Sequence, residues 1–353
     1  MKNEKLDNKI VVVGAGVIGL TCAYQLLLKG YTNVTVIAKD FPSTGLLKPE
    51  YTSSKSGAHF RPFPSKSRQE LRDSKLARST YRAFKKLATE SPESSIKWVE
   101  GIDYLEKRDP LYVNLIPGYT EEIDKFQVIP SDRLPPNIQF GAKYSTWCMN
   151  SPRYLEFLET KLKMKFGVKF VQKSVRSLKQ VSRQFPNYLI INCTGMGLQF
   201  DGSWDKDCFP IRGQTLLVRP PLDCPYENQT ITYQLADGAW IFVIPRPLDG
   251  GIILGGTKQV GSTDKRANKK DTDNIIELGK KRFPRLLIDG EFDIKRVNVG
   301  FRPARKGGVK ISKQVVEGVT IVDCYGFAGS GMEMSWGAAE HVVQLVAEEK
   351  PRL

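Results

Sequence analysis

The sequence predicts a mixed α/β fold, with parallel strand–helix material at both ends of the chain and near residues 150–195, and mostly antiparallel material in between. Three observations carry this reading. The apolar run Ile10–Val13 leads directly into Gly14-Ala15-Gly16-Val17-Ile18-Gly19. A helix-compatible stretch over residues 20–29 and a second strand over 34–37 follow, so strand, glycine turn, helix and strand fit within about 30 residues. Residues 209–260 alternate in strand fashion between Pro and Gly punctuation, which is the pattern of an antiparallel sheet. Residues 319–322 read as a last core strand that runs into a second glycine-rich turn and a helix over about 332–349.

The remaining elements fill in between these landmarks. Residues 43–57 are rich in Ser, Thr and Gly. Residues 68–89 show a heavily charged helical pattern whose apolar stripe is Leu71, Leu76, Tyr81, Phe84 and Leu87. Proline-containing stretches near 110–136 predict loops and short strands. An amphipathic helix is expected over 153–166 and a strand over 168–171. Leu189–Asn192 reads as a buried strand that ends in Cys193-Thr194-Gly195, and residues 274–281 as a helix. The resulting partition is a discontinuous nucleotide domain over 1–55, 145–200 and 295–353, interleaved with an α+β substrate domain over 56–144 and 201–294.

Composition narrows the function classes. The 353 residues are 41% hydrophobic and 10% aromatic, as in a globular protein. No stretch approaches the roughly 18 uninterrupted apolar residues of a membrane span, and the polar opening that runs straight into a strand predicts no cleavable signal peptide. The six cysteines show no CxxC and no regular spacing, so they read as buried free thiols in a reducing compartment. Two histidines, His59 and His341, are too few for a His-based metal centre, and no metal is expected. The net charge of +15 is spread along the chain with no nucleic-acid motif beside it. It reads as a solvated basic surface that attracts anionic substrates rather than as a nucleic-acid footprint.

The spacing Gly14-x-Gly16-x-x-Gly19 has a physical reason at each glycine: a tight turn, a close approach of backbone to a pyrophosphate, and close helix–strand packing. The helix that starts at Val17 and Ile18 offers free N–H groups and the positive end of its dipole to the phosphates. The ribose-binding acid is expected at the end of the second strand, where Ala38 stands; Asp40 lies two residues later, and Lys39 is a candidate phosphate contact. The late turn Gly326-Phe327-Ala328-Gly329-Ser330-Gly331 favours FAD over NAD, because a helix N-terminus there can face the flavin's pyrimidine carbonyls.

The start VVVGAGVIGLTCAYQL, the blocks SGAHFRPFP (56–64), INCTGMGL (191–198), RGQTLLV (212–218), IPRP (244–247), LGGTKQ (254–259) and VGFRPARKGG (299–308), and YGFAGSGMEMSWGAA (325–339) together resemble the D-amino-acid oxidase/D-aspartate oxidase family over nearly the whole chain. The resemblance implies a Rossmann-type FAD-binding domain with non-covalent FAD. It also implies hydride transfer from the substrate Cα–H to the flavin and oxygen as the final acceptor, with imino acid and hydrogen peroxide as products. Catalysis then rests on orientation and charge placement rather than on a protein acid or base. Arg302 matches the arginine that holds the substrate carboxylate, for which a guanidinium fork is suited. Thr194 and Gly195 match the stretch near the diphosphate. Ser56, Gly57 and Val175 are further cofactor-binding candidates. Gly329, Gly331, Met332 and Glu333 match the turn that covers the flavin.

Three positions depart from the neutral-substrate enzymes. Phe242 replaces a tyrosine that would help hold the α-carboxylate, and Glu333 replaces a glutamine. Lys258 stands where the resemblance places arginine in D-aspartate oxidases. A lysine buried there, with His59 and Arg61 beside it, would supply a second cation for a side-chain carboxylate, because a buried cation without a partner is costly. Acidic D-amino acids are therefore the expected substrates, with oxygen as co-substrate. The C-terminal Pro351-Arg352-Leu353 resembles a peroxisomal import tripeptide, which implies an import receptor as partner and a peroxisomal location. No membrane partner is expected, and a homodimer is among the expected states. The alternatives are a preference for neutral D-amino acids, a glycine- or sarcosine-type flavin oxidase, an NAD-dependent dehydrogenase, and a basic nucleotide-binding regulator without catalysis.

Overall fold

The computed structural model describes Leu6 and residues 8–348; Pro351-Arg352-Leu353 lie outside the described residues. The chain divides into two compact units. One comprises Met1–Ser54, Leu155–Pro210 and Arg302–Leu353, the other Lys55–Tyr154 and Ile211–Phe301.

The first unit is built on a six-stranded sheet in the order Lys310–Val316, Val319–Tyr325, Leu189–Asn192, Ile10–Val13, Val34–Ala38, Lys169–Gln172. All neighbours pair in parallel except the edge strand Lys310–Val316, which is antiparallel to Val319–Tyr325. The strands buried on both faces are continuous apolar runs, as parallel sheets demand. Helix Val17–Leu28 is buried almost all round, because it packs against helix Gly331–Ala347 as well as against its own strands. The small residues Ser335, Gly337, Ala338 and Ala339 are buried on the latter helix.

Three cysteines meet inside this unit. Cys22, Cys193 and Cys324 are buried with their sulfurs within 4.8 Å of one another, and all six cysteines are free thiols. Free cysteine behaves as a small hydrophobe, and these fill core space.

The second unit carries a nine-stranded sheet in the order Gln259–Val260, Cys208–Arg219, Ile252–Gly255, Trp240–Pro245, Gln229–Gln234, Ile96–Leu105, Phe140–Met149, Gln127–Val128, with Asp293–Arg305 also pairing with Cys208–Arg219. Along the ordered path the neighbours pair antiparallel except where Ile96–Leu105 runs parallel to Gln229–Gln234. Its core gathers Leu216, Val218, Ile241, Val243, Ile252 and Leu254 from the central strands with Ile275, Phe283 and Leu286 from the following helical segment.

Several sequence expectations shift. The changeover expected at 144/145 moves to 154/155, because Phe140–Met149 pairs with Ile96–Leu105 along its whole length. Residues 201–210 belong with the first unit rather than the second, and the last changeover falls at 301/302 instead of 294/295. The charged helix spans Arg68–Glu90, but its buried face is Asp73, Ser74, Ala77, Arg78, Thr80, Tyr81, Phe84 and Leu87, while Leu71 and Leu76 are only half-buried. Arg78 is the reason: its guanidinium turns inward and donates to Gly118 O (2.6 Å) and Glu121 O (2.7 Å), which ties the proline-rich segment to the helix. The helix expected over 153–166 is Ser151–Thr160 followed by a wider turn, Lys161–Lys165. Among the described residues no helix is long and apolar enough to cross a membrane.

Candidate active site

In the first unit the glycine turn is sterically determined. Gly14 has φ +108°, and a Cβ there would lie 2.3 Å from Cys193 O; a Cβ on Gly19 would lie 1.9 Å from Gly14 O. No side chain fits either position, so strand, turn and helix pack at backbone distance. Two residues of the Ser/Thr/Gly-rich segment brace the turn. Tyr51 donates its hydroxyl to Ala15 O (2.5 Å), and Ser53 Oγ accepts the Val17 N–H (3.1 Å). Gly16 as N-cap has no side chain to offer, and the amides of Ile18 and Gly19 have no partner among the described residues. These free donors at a helix N-terminus are the feature an FAD diphosphate would use.

The next strand end supplies a second turn. Thr194 Oγ1 donates to Asn192 Oδ1 (2.8 Å) and accepts the Leu198 N–H (2.8 Å), so its hydroxyl shapes the turn. Gly195 has φ +75°, and its carbonyl accepts from Gly326 N–H (3.1 Å). A Cβ on Gly195 would lie 3.5 Å from Pro303, one on Gly329 would lie 3.6 Å from Arg302 Cδ, and one on Gly331 would lie 3.7 Å from Val17. The structure therefore brings together the predicted residues Val17, Gly195, Arg302, Gly329 and Gly331. Met332 is buried and Glu333 half-buried in the first turn of Gly331–Ala347, whose N-cap, Ser330, makes no side-chain cap. Burial pulls the Arg302 guanidinium below the ordinary arginine value, though it remains a cation at neutral pH.

The other cofactor candidates of this unit separate. Lys39 is exposed. Asp40 is buried and ion-paired with Lys48, which sequence reasoning did not foresee. Val175 is half-buried against the core beside Leu178 and Val181, and its backbone makes no hydrogen bond among the described residues.

In the second unit, Ser56 and Gly57 are half-buried. Ser56 O accepts from Ser151 Oγ (2.9 Å) and from Arg246 (2.6 Å), and Gly57 O accepts from Arg246 Nε (3.2 Å). Arg246, from the block IPRP, thus spends donors on holding this segment, and sequence reasoning missed it. Burial, with Arg296 nearby, pushes its value down to about 9.

Phe242 is half-buried on Trp240–Pro245. It pairs with Gly255, and Cβ atoms on Gly255 and Gly256 would lie 3.4 and 3.6 Å from its ring tip. The next residues are organised by Arg212 of the block RGQ, a second residue that sequence reasoning missed. Arg212 is fully buried and donates to Gln259 Oε1 (2.7 Å), Asp271 (3.1 Å), Gln214 Oε1 (2.9 Å) and the carbonyls of Asp264 (2.8 Å) and Arg266 (2.6 Å). With Gln259 drawn inward, its neighbour Lys258 is exposed and forms no ion pair or hydrogen bond among the described residues. Lys258 is therefore not a buried cation, contrary to the sequence expectation, and desolvation gives it no need of an anionic partner.

The two basic neighbours expected beside Lys258 are also corrected. His59 has its value lowered to about 3, first by burial and then by Arg61, and its Nδ1 is buried without a partner among the described residues. It is neutral at physiological pH and supplies no charge. Arg61 is a buried cation, but Asp103 already pairs with it: Arg61 Nε donates to Asp103 Oδ1 at 2.8 Å, and the guanidinium lies 4.7 Å from the Trp240 ring.

A parallel sheet whose first strand leads through Gly-x-Gly-x-x-Gly into an uncapped helix, with a second glycine-led helix starting beside it, defines a dinucleotide-binding flavoprotein. The chain belongs to the FAD dependent oxidoreductase (DAO) family, whose model matches residues 9–345, and its cofactor is FAD. It is 34% identical to a D-aspartate oxidase of Talaromyces thermophilus, over 96% of this chain and 95% of that protein. It is also 34% identical to a D-amino-acid oxidase of Schizosaccharomyces pombe, over 98% of both. In fold it resembles glycine oxidase from Geobacillus kaustophilus (TM-score 0.71, 16% identity, 98% of this chain and 95% of that one). A similar likeness holds for FAD-bound L-α-glycerophosphate oxidase from Mycoplasma pneumoniae (TM-score 0.71, 17% identity, 98% and 96%).

Proposed function

We propose that this chain oxidises D-amino acids at the expense of oxygen: D-amino acid, O2 and water give 2-oxo acid, ammonia and H2O2. Bound FAD supplies the two-electron acceptor. The observation that carries the reading is Arg302, a partly desolvated guanidinium beside Gly329 and Pro303 in the same unit as the glycine turn. Loss of hydration strengthens a guanidinium's hold on a carboxylate. Full-length similarity to a D-aspartate oxidase and a D-amino-acid oxidase supports the substrate class. At the position where the resemblance places a tyrosine, Phe242 presents an apolar ring with no hydroxyl.

Within this class the proposal is a preference for acidic D-amino acids, with Lys258 as the cation for the side-chain carboxylate. Its support is the sequence position of Lys258 and the similarity to a D-aspartate oxidase. An exposed lysine makes this a modest preference, since a solvated ion pair contributes about 1 kcal/mol or less. The location proposed is the peroxisome, supported by the C-terminal tripeptide and by the need to confine peroxide. Peroxide release by the purified yellow protein on D-aspartate, D-glutamate, D-alanine and D-methionine, with L-aspartate as control, tests the reading. D-specific release is the expected result, highest on the two acids. Release on D-alanine or D-methionine above the acids would remove the acidic preference, and no release on any D-amino acid would overturn the function.

A further inference from the structure

We infer that Asp205 is a positioning residue for Arg302, acting through Arg305 and Tyr325; this rests on the reading that Arg302 holds the substrate carboxylate. All the residues concerned lie in the first unit. Arg305 ends the strand Asp293–Arg305 that carries Arg302 three residues earlier. Its guanidinium reaches Asp205 Oδ2 from Nε (2.9 Å) and Asp207 Oδ2 from Nη2 (3.3 Å). Tyr325, the last residue of its strand, donates its hydroxyl to the same Asp205 Oδ2 at 2.8 Å. Asp205 Oδ1 accepts the Asp207 N–H (2.9 Å), and the Asp205 N–H donates to Gly197 O (2.8 Å).

Asp205 thus joins three segments: through its N–H the turn after Leu189–Asn192, and through its carboxylate the end of the Arg302 strand and the start of the Gly326 turn. The same segments also meet through backbone. Lys306 N–H donates to Asp207 O (2.9 Å), Ala328 N–H to Pro303 O (2.8 Å) and Gly326 N–H to Gly195 O (3.1 Å). The stem of Arg305 packs on Gly326, where a Cβ would lie 2.8 Å from Arg305 Cβ. Pro303 has no N–H to donate, so between Arg302 and this anchor the chain is held by the Pro303 carbonyl and by its Arg305 end.

Both oxygens of Asp205 accept from N–H or O–H donors, which makes the charge and the symmetry of the carboxylate necessary. An asparagine amide has one acceptor oxygen, so either orientation turns its NH2 toward another donor. Burial raises the Asp205 carboxyl, but the Arg305 guanidinium, the Asp207 N–H and the Tyr325 hydroxyl outweigh it and bring it to about 2. The anchor is therefore charged throughout the working range of pH.

The test compares holoenzymes of Asp205→Asn, Tyr325→Phe and Arg302→Ala with the parent for KM and kcat on D-alanine, FAD content and thermal midpoint. Misplacing a carboxylate clamp by a fraction of an ångström weakens substrate binding before it weakens cofactor binding. Asp205→Asn is expected to raise KM about tenfold with FAD content unchanged. Tyr325→Phe, which removes one donor only, is expected to raise it about threefold and keeps the test decisive if Asp205→Asn does not fold. A lowered thermal midpoint with KM unchanged in both variants would overturn the inference by reducing the network to a structural one. Arg302→Ala separates this from failure of the underlying reading: if it leaves KM unchanged, Arg302 does not hold the carboxylate.

Discussion

Gly14, Gly16 and Gly19 sit where chain meets chain, and at Gly14 and Gly19 any side chain would strike backbone at 2.3 Å or less. Phe242, Lys258 and His59, in the other unit, occupy positions where neighbours decide direction and charge. Lys258 is exposed because Arg212 draws Gln259 inward, and His59 is neutral because burial and Arg61 oppose its charging. The lesson of the pair is that a turn required by sterics can be read locally, whereas the charge state of a wall residue belongs to its surroundings.

The largest expected effect tests the steric side. Gly14→Ala places a methyl against Cys193 O at a positive φ, a conflict that costs about 3 kcal/mol or more. Retention of FAD after desalting should fall by roughly 100-fold in affinity, read from visible absorbance. Unchanged yellow colour would show that the turn relaxes and that the steric reading is too rigid.

A smaller effect tests the electrostatic side. His59 titrates near 3 in the folded protein against 6.5 ordinarily, so the unfolded chain takes up a proton first as pH falls. The stability tied to neutral His59 is complete above about pH 6.5 and is lost as pH falls toward 3, amounting to about 2 kcal/mol by pH 5. Urea unfolding at pH 7 and pH 5 should therefore show the parent losing more stability than His59→Asn. Parallel losses in the two proteins would assign the acid sensitivity elsewhere.

The smallest effect concerns Lys258. Lys258→Ala should lower kcat/KM on D-aspartate about fivefold more than on D-alanine, in keeping with a solvated ion pair. Equal losses on both substrates would make Lys258 a surface residue and leave the acidic preference without a carrier.

Much of the first unit is legible in the amino-acid sequence. The βαβ start, the strand Leu189–Asn192 and the late glycine turn are local patterns with a required order, and in the fold Gly195 lies beside Pro303, Gly329 beside Arg302 and Gly331 beside Val17. The braces Tyr51 and Ser53 are not legible there, although the Ser/Thr/Gly-rich composition of their segment marks it as a loop able to fold back. Asp205 leaves no local trace either, because its partners Arg305 and Tyr325 are 100 and 120 residues away in the chain. In the second unit the strands Ile96–Leu105 and Phe140–Met149 escape a reading by periodicity, since the first carries Glu100 and Asp103 within it. Asp103 is tolerated there only because Arg61 pairs with it.

By itself the sequence determined the order of strands and helices in the dinucleotide core, the three glycines of its turn and the class of cofactor. The first two follow from backbone sterics and hydrophobic periodicity acting over fewer than about 30 residues, and the cofactor class from adding the glycine turn late in the chain. Only the tertiary structure decided that His59 is uncharged, that Arg61 is neutralised, that Lys258 meets solvent and that Arg212 and Arg246 are internal ties. Those outcomes depend on desolvation and on partners distant in the chain, and both come into being only when the chain has folded.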